Sequence, residues 1–179
     1  YIYAMIEKSG VITQPTAIFR VLYGFRHDQP NTGAAVLQQL ETVLKNSGID
    51  ASFTPDIERE ALLKFSFVSP LGAAGYFYGA PCGAFWEAGE KQTFFLSLVR
   101  EIAALGKAMG LELPADLPER NLALLRDMEP EGVTSMLRDI QSGRPSEFDG
   151  LVARVPRLCR TYGVACPAYD RVVQKAQAG

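Results

Sequence analysis

Residue types that could perform catalysis or bind a metal are few and widely spaced in this 179-residue chain. The three cysteines, Cys82, Cys159 and Cys166, match no zinc-binding spacing, and the single histidine, His27, has no second imidazole with which to share a metal. The sequence also has no glycine-rich phosphate loop, no Gly-x-Ser-x-Gly turn and no helical pair of metal-binding carboxylates. We therefore expect reduced thiols in a cytoplasmic protein and no metal site.

The overall composition favours a globular protein that acts on a small molecule. The chain is 47% hydrophobic and has a net charge of only -2, and its basic residues are scattered along its length. A nucleic acid or an anionic membrane would require clustered basic residues, so neither is expected as a partner. A small neutral or anionic ligand remains possible.

Residues 65–86 form a stretch without any formal charge, which raises the question of a membrane span. This stretch contains two prolines and lacks the leucine and isoleucine density of a lipid-facing helix. Its glycines, three or four residues apart, would let another backbone approach closely. We therefore interpret it as a buried core helix, with Gly72, Gly75, Gly79 and Gly83 on its packing face.

The first part of the chain, residues 1–55, predicts a small α/β segment. Strands are expected at Tyr1–Ile6 and antiparallel strands within Val11–Phe25, followed by a helix from a Thr32 cap to Asn46 and a strand at Ala51–Phe53. This series is too small to be expected to form a stable domain by itself. Because the chain also begins Tyr-Ile-Tyr without a methionine, we expect it to be the C-terminal part of a longer protein whose α/β sheet starts earlier.

Residues 56–179 predict a helical domain. Thr54 is expected to cap its first helix, which Pro70 should bend or break, and Ser146 a later helix, which Pro156 should kink. Apolar residues at helical spacing and flanking breakers predict six or seven helices: from Thr54, and at Glu90–Met109, Leu117–Asp127, Pro130–Gln141, Ser146–Tyr162 and Pro167–Ala176.

The most specific pattern in the sequence lies at residues 134–149. They read Thr-Ser-Met-Leu-Arg-Asp-Ile-Gln-Ser-Gly-Arg-Pro-Ser-Glu-Phe-Asp. This run closely resembles the signature of the ketopantoate reductase family, in which Ser-Met-Leu-x-Asp-Ile precedes Gly-Arg and Thr/Ser-Glu-Ile-Asp. Tyr162–Pro167 is similar to the family's Gly-Ile-x-x-Pro segment, Glu60–Phe65 to its lysine-bearing helix, and Tyr3–Ile12 to its strand pair that leaves the nucleotide domain.

The resemblance implies a mainly α fold and a reductase activity. In that family a helical C-terminal domain, like that of 6-phosphogluconate dehydrogenase, closes over a 2-oxo acid, and an N-terminal Rossmann domain binds NADPH. The resemblance thus implies NADPH as cofactor, a small 2-oxo acid as substrate and the chain's own N-terminal Rossmann domain as partner. A homodimer is a further possibility.

The resemblance also assigns roles to individual residues. Lys64 matches the lysine that protonates the substrate carbonyl, Glu147 its acidic partner in the cleft, and Ser135 a serine that binds substrate. Two substrate-binding asparagines of the family, four and eight residues after the lysine, are Val68 and Gly72 here. This departure favours a substrate with fewer polar groups than ketopantoate.

Two alternatives remain beside the leading interpretation. The protein could be a related dehydrogenase acting on another hydroxy acid, or a noncatalytic member whose helical domain serves dimerisation or ligand binding. The presence of both Lys64 and Glu147 argues against the second alternative. From residue type alone, Lys64 would be an ordinary exposed helix lysine, and Glu147 and Ser135 ordinary residues near helix starts.

Overall fold

The computed structural model describes residues 5–14, 19–28 and 33–178, which form parts of two compact units. The first unit covers Tyr1–Glu60 and the second Ala61–Gly179. The predicted Thr32 cap and the first four residues of the predicted N-terminal strand lie outside the described residues.

The first unit contains two small sheets and one helix. Strands β1 (Met5–Lys8) and β2 (Val11–Thr13) pair antiparallel, whereas β3 (Arg20–Tyr23) and β4 (Asp50–Phe53) pair in parallel, from Arg20 beside Asp50 to Tyr23 beside Phe53. Helix α1 (Ala34–Asn46) connects β3 to β4. The prediction of antiparallel strands up to Phe25 is therefore wrong for β3, because a helical crossover returns the chain in the same direction.

The second unit is a helical domain, which confirms the predicted mainly α class. Its core is built by apolar side chains from several helices, for example Leu71, Ile102 and Val155. Its helices are α2 (Ile57–Tyr78, beginning in the first unit), α3 (Glu90–Ala108), α4 (Leu117–Arg126), α5 (Ser135–Gln141), α6 (Arg154–Thr161) and α7 (Pro167–Ala178), with a 3₁₀ turn at Cys82–Phe85 and a π turn at Asp149–Ala153. Within the described ranges, no helix has the length and apolar character needed to cross a membrane.

The residue that caps the start of α2 differs from the predicted one. The Asp56 carboxylate accepts a hydrogen bond from the Arg59 backbone N–H at 3.2 Å, which makes Asp56 the cap. The Thr54 hydroxyl oxygen instead accepts from the Asp56 N–H at 3.2 Å and shapes the preceding turn.

Pro70 does not break α2, which runs without interruption from Ile57 to Tyr78. A proline has no N–H, so the carbonyl four residues earlier, that of Ser66, loses its helical partner. The buried Asn121 side chain of α4 donates to this carbonyl at 2.8 Å. An amide from a neighbouring helix therefore replaces the missing backbone bond, and the helix continues.

Two later helices begin later than predicted. Helix α5 starts at Ser135 instead of Pro130, because the carbonyls of Pro130 and Gly132 accept from Gly83 and Cys82 N–H at 2.8 Å and hold this segment as a loop. The predicted helix from Ser146 starts as the π turn at Asp149–Ala153 and becomes α-helical only from Arg154. A proline at position 156 explains the widened turn, since it cannot donate to the preceding turn.

Candidate functional site

One face of α2 carries three of the residues that the sequence singles out. Lys64, Val68 and Gly72 are four residues apart, so they follow each other on the same face over about 12 Å of helix. Lys64 and Val68 are exposed, whereas Gly72 is buried. The amino-terminal half of this face is therefore open, and the carboxyl-terminal half is covered.

Helix α5 covers the buried half of that face. A Cβ atom built on Gly72 would lie 3.1 Å from the Met136 methyl carbon, and one built on Gly75 would lie 3.6 Å from a Leu137 methyl group. Side chains of α5 therefore fill the space beside these two glycines. The predicted packing face does not extend to Gly79 and Gly83, because α2 ends at Tyr78. Ser135, the first residue of α5, is exposed, and Thr134 caps the helix by accepting from the Leu137 N–H at 3.2 Å.

The Met136 methyl group occupies the space into which a longer side chain at position 72 would have to extend. An asparagine at this position would displace a buried methionine. The surroundings of Gly72 are therefore apolar, and so is the exposed side chain of Val68 one turn earlier.

Glu147 lies in the segment between α5 and the π turn. The Glu147 carbonyl accepts from the Leu151 N–H at 2.9 Å, and its side chain is exposed. The next residue, Phe148, places its ring edge-on against Tyr76 of α2, with 4.9 Å between ring centroids. Before it, the Arg144 guanidinium bonds the Asp139 carboxylate at 2.7 Å and closes the loop after α5. The Glu147 segment therefore packs on α2 as α5 does.

A buried group of polar atoms holds the same segment to α2. The Ser69 hydroxyl of α2 donates to the Leu151 carbonyl at 2.5 Å, and it lies 2.6 Å from the Tyr169 hydroxyl of α7. Ser69 and Tyr169 are completely buried. The sequence analysis missed the role of both residues; the available signal was a pair of serines, Ser66 and Ser69, in the uncharged stretch of residues 65–86.

Burial shifts the acid–base behaviour of the groups around α7. Burial raises the pKa of the Tyr169 hydroxyl well above its ordinary value, so this group stays protonated. Burial also raises the pKa of Glu101, although its carboxylate accepts from the Ala168 and Tyr169 N–H groups at 2.7 and 3.0 Å. Glu101 thus caps the start of α7, the helix whose Tyr169 hydroxyl lies beside Ser69 of α2.

The three cysteines are buried free thiols, in agreement with the prediction of reduced cysteines. Burial raises the pKa of Cys82, and it raises that of Cys166 to about 12. Such thiols are protonated at neutral pH and are poor nucleophiles. They serve as core residues.

The described residues offer no turn that could hold a dinucleotide. A pyrophosphate site requires a glycine-rich turn directly between a strand and a helix N-terminus. In the described part of the chain, ten residues separate the end of β3 at Tyr23 from the start of α1 at Ala34, and α2 begins after the Thr54–Asp56 turn. These residues do not fit the nucleotide part of NADPH.

The structure thus brings several sequence-predicted residues onto one helix. Gly72 contacts the residue next to Ser135, and the residue next to Glu147 contacts Tyr76, one turn after Gly72. Lys64 and Val68 lie on the open half of the same face. That Lys64 and Glu147 face a common cleft stays a prediction.

Comparisons with known proteins agree with this architecture. The 2-dehydropantoate 2-reductase of Caulobacter vibrioides is 33% identical over 125 residues, which is 70% of this chain and 42% of the relative. The crystal structure of 2-dehydropantoate 2-reductase from Methylococcus capsulatus superposes with a TM-score of 0.81 at 23% identity, over 99% of this chain and 60% of the other. The ternary structure of D-mandelate dehydrogenase with NADH and anilino(oxo)acetate superposes with a TM-score of 0.77 at 21% identity, over 99% and 56%.

The chain therefore spans less than half the length of that curated relative. Residues 56–178 match the family model of the ketopantoate reductase PanE/ApbA C-terminal region. This match covers well over half of the chain and includes α2, α5 and the Glu147 segment. The chain belongs to the ketopantoate reductase family and contains its helical C-terminal domain.

Proposed function

We propose that this chain is the substrate-binding and catalytic half of a cytoplasmic NADPH-dependent 2-oxo acid reductase, with ketopantoate as the family's substrate. The observation that carries the proposal is the α2 face, on which Lys64 lies in the open half and α5, with Ser135, covers the other half. The proposal requires that Lys64, Ser135 and Glu147 line one surface, which would suit a small, anionic 2-oxo acid.

The proposed chemistry uses the side chains of this chain for proton transfer and charge. The described residues do not hold NADPH, which, when bound elsewhere in the full-length protein, would provide the hydride for the ketone carbon. The carbonyl oxygen becomes an alkoxide, and the Lys64 ammonium donates a proton to it and opposes its negative charge. Glu147 holds the ammonium in place, and the Ser135 hydroxyl donates a hydrogen bond to the substrate.

Two features of the first unit support the proposal that residues 1–55 are the end of a nucleotide-binding domain. Among the residues of the first unit that the structure describes, the parallel sheet consists of the two strands β3 and β4, whereas parallel sheets are normally larger and covered on both faces. Helix α1 also leaves Val36 and Val43 65% and 60% exposed. These apolar side chains are suited to burial against further strands or helices of a Rossmann domain.

The test of the proposed function is NADPH oxidation by the full-length protein with ketopantoate and other 2-oxo acids. Lys64→Ala should lower kcat by on the order of a hundredfold or more while KM changes less, because the general acid and its charge are both lost. Lys107→Ala, an exposed lysine on α3, is the matched control and should leave turnover unchanged. Equal turnover in the Lys64 and Lys107 variants would exclude the catalytic role.

Binding of the cofactor is tested on the 179 residues alone. Titration calorimetry with NADPH should show no micromolar binding, and the chain alone should reduce no 2-oxo acid, because the described residues hold no dinucleotide turn. Micromolar affinity would contradict the assignment of the cofactor site to another domain.

A second candidate function is oxidation or reduction of a different, less polar hydroxy acid or oxo acid. The apolar side chain of Val68 and the apolar surroundings of Gly72 favour it, since binding of a substrate hydroxyl without a partner there would be weakened by roughly 1 to 3 kcal/mol. The structural similarity to D-mandelate dehydrogenase makes aromatic 2-oxo acids the first class to compare.

The two candidates are separated by comparing turnover of ketopantoate, its analogue without the hydroxyl group, and phenylglyoxylate. Preference for the less polar substrates would support the second candidate, and Val68→Asn should then shift the preference toward ketopantoate. A strong preference of the unmodified protein for ketopantoate would exclude it.

A further inference from the structure

We propose that Ser69 and Tyr169 are positioning residues that hold the Glu147 segment against the helix that carries Lys64. This inference rests on the proposed function, in which Lys64 and Glu147 act together. It concerns two completely buried hydroxyl groups, one on α2 and one on α7.

The direction of the hydrogen bonds follows from proton counting. The Ser69 hydroxyl has one proton, and the Leu151 carbonyl, which has none, lies 2.5 Å away and must accept it. The Tyr169 hydroxyl, 2.6 Å from the Ser69 oxygen, must therefore donate. The order is Tyr169 to Ser69 to the Leu151 carbonyl, and burial keeps the tyrosine protonated for this role.

The Leu151 carbonyl cannot receive a π-type backbone bond because of Pro156. In the π turn Asp149–Ala153, the Asp149 carbonyl accepts from the Arg154 N–H, five residues later. For Leu151 that residue is Pro156, which has no N–H. The Ser69 hydroxyl satisfies this carbonyl, much as Asn121 satisfies the carbonyl that Pro70 leaves unpaired on α2.

This arrangement connects the two proposed catalytic residues through few bonds. Ser69 follows Lys64 by five residues on one rigid helix, and the Leu151 N–H donates to the Glu147 carbonyl at 2.9 Å. Leu151 thus receives a bond from α2 through its carbonyl and gives one to Glu147 through its N–H. The Phe148–Tyr76 ring contact adds packing but is less directional than the hydroxyl bonds.

The test uses Ser69→Ala and Tyr169→Phe in the full-length protein, each of which removes one oxygen atom. We expect kcat to fall between about tenfold and a hundredfold, with KM within about twofold, because small misplacements of a catalytic group have effects of this size. Trp86→Phe is the control: it removes a comparable bond, from the indole N–H to the Leu125 carbonyl at 3.0 Å, away from α5 and the π turn.

A second measurement does not depend on activity. Amide hydrogen exchange of residues 148–152 should accelerate in Ser69→Ala and Tyr169→Phe and stay unchanged in Trp86→Phe. If exchange accelerates but the unmodified protein reduces no 2-oxo acid, the anchoring is supported and the proposed function is wrong. Unchanged exchange, or a fall in kcat that Trp86→Phe matches, would overturn the positioning role.

Discussion

The two units of the chain differ in how well they bury their own apolar side chains. In the second unit, helices α2 to α7 enclose a continuous core with fully buried side chains such as Phe95, Leu98 and Ile102. In the described part of the first unit, only Ala51 among the apolar residues is fully buried, whereas Ile12, Phe19, Val36, Leu40 and Val43 are exposed. The helical unit therefore buries most of its large apolar side chains itself, whereas the described part of the α/β unit leaves several of them exposed.

The largest predicted effect tests the packed unit. Phe95→Ala removes a completely buried ring from α3 and should lower the free energy of unfolding by about 3 to 5 kcal/mol, measured by urea denaturation. Val43→Ala on the exposed side of α1 is the control and should cost less than about 0.5 kcal/mol in the 179-residue chain. Similar losses in both variants would contradict the difference between the units.

The next prediction concerns the carbonyl that Pro70 leaves without a partner. Asn121→Ala removes its donor and should cost about 1 to 3 kcal/mol, because a buried acceptor is then unsatisfied. In a Pro70→Ala background, the restored backbone N–H can reach the Ser66 carbonyl, so the same asparagine substitution should cost less. A double-mutant cycle on urea midpoints measures this coupling, and additive effects would exclude the compensation.

A third prediction sharpens the comparison at the exposed stripe of α1. If a preceding domain covers this stripe, Val43→Ala should cost about 1 to 2 kcal/mol in the full-length protein, since buried methyl groups are lost. In the 179-residue chain it should remain almost neutral. Thermal or urea unfolding of both lengths provides the measurement, and equal costs would mean that nothing covers Val43.

The smallest predicted effect is a pH dependence in the second unit. Burial raises the pKa of Glu101, so folding favours its protonated form, and the associated stability is lost as the pH rises through the raised pKa. The unmodified protein should therefore lose some stability as the pH rises above the ordinary glutamate pKa of 4.5, the side toward which the shift points. Glu101→Gln should lack this loss, whereas Glu119→Gln, at an exposed position on α4, should retain it. Parallel pH profiles for all three proteins would contradict the assignment.

The sequence by itself determined the helical class and most helix positions. Apolar residues at helical spacing and flanking breakers predicted α3, α4 and α7 to within two residues at each end, because these signals act within a few residues of the chain. The motif at residues 134–149 indicated the family, which the match over residues 56–178 confirmed.

Only the tertiary structure decided how the two prolines inside helices are tolerated. Sequence rules predict a bend or break at Pro70 and a kink at Pro156, because they consider only the chain's own backbone donors. Asn121 bonds the Ser66 carbonyl, and Ser69 bonds the Leu151 carbonyl. Both donors lie far from their acceptors in sequence and reach them only after the helices have packed. The anchoring of the Glu147 segment to the Lys64 helix depends on such a long-range bond, so no local pattern could have predicted it.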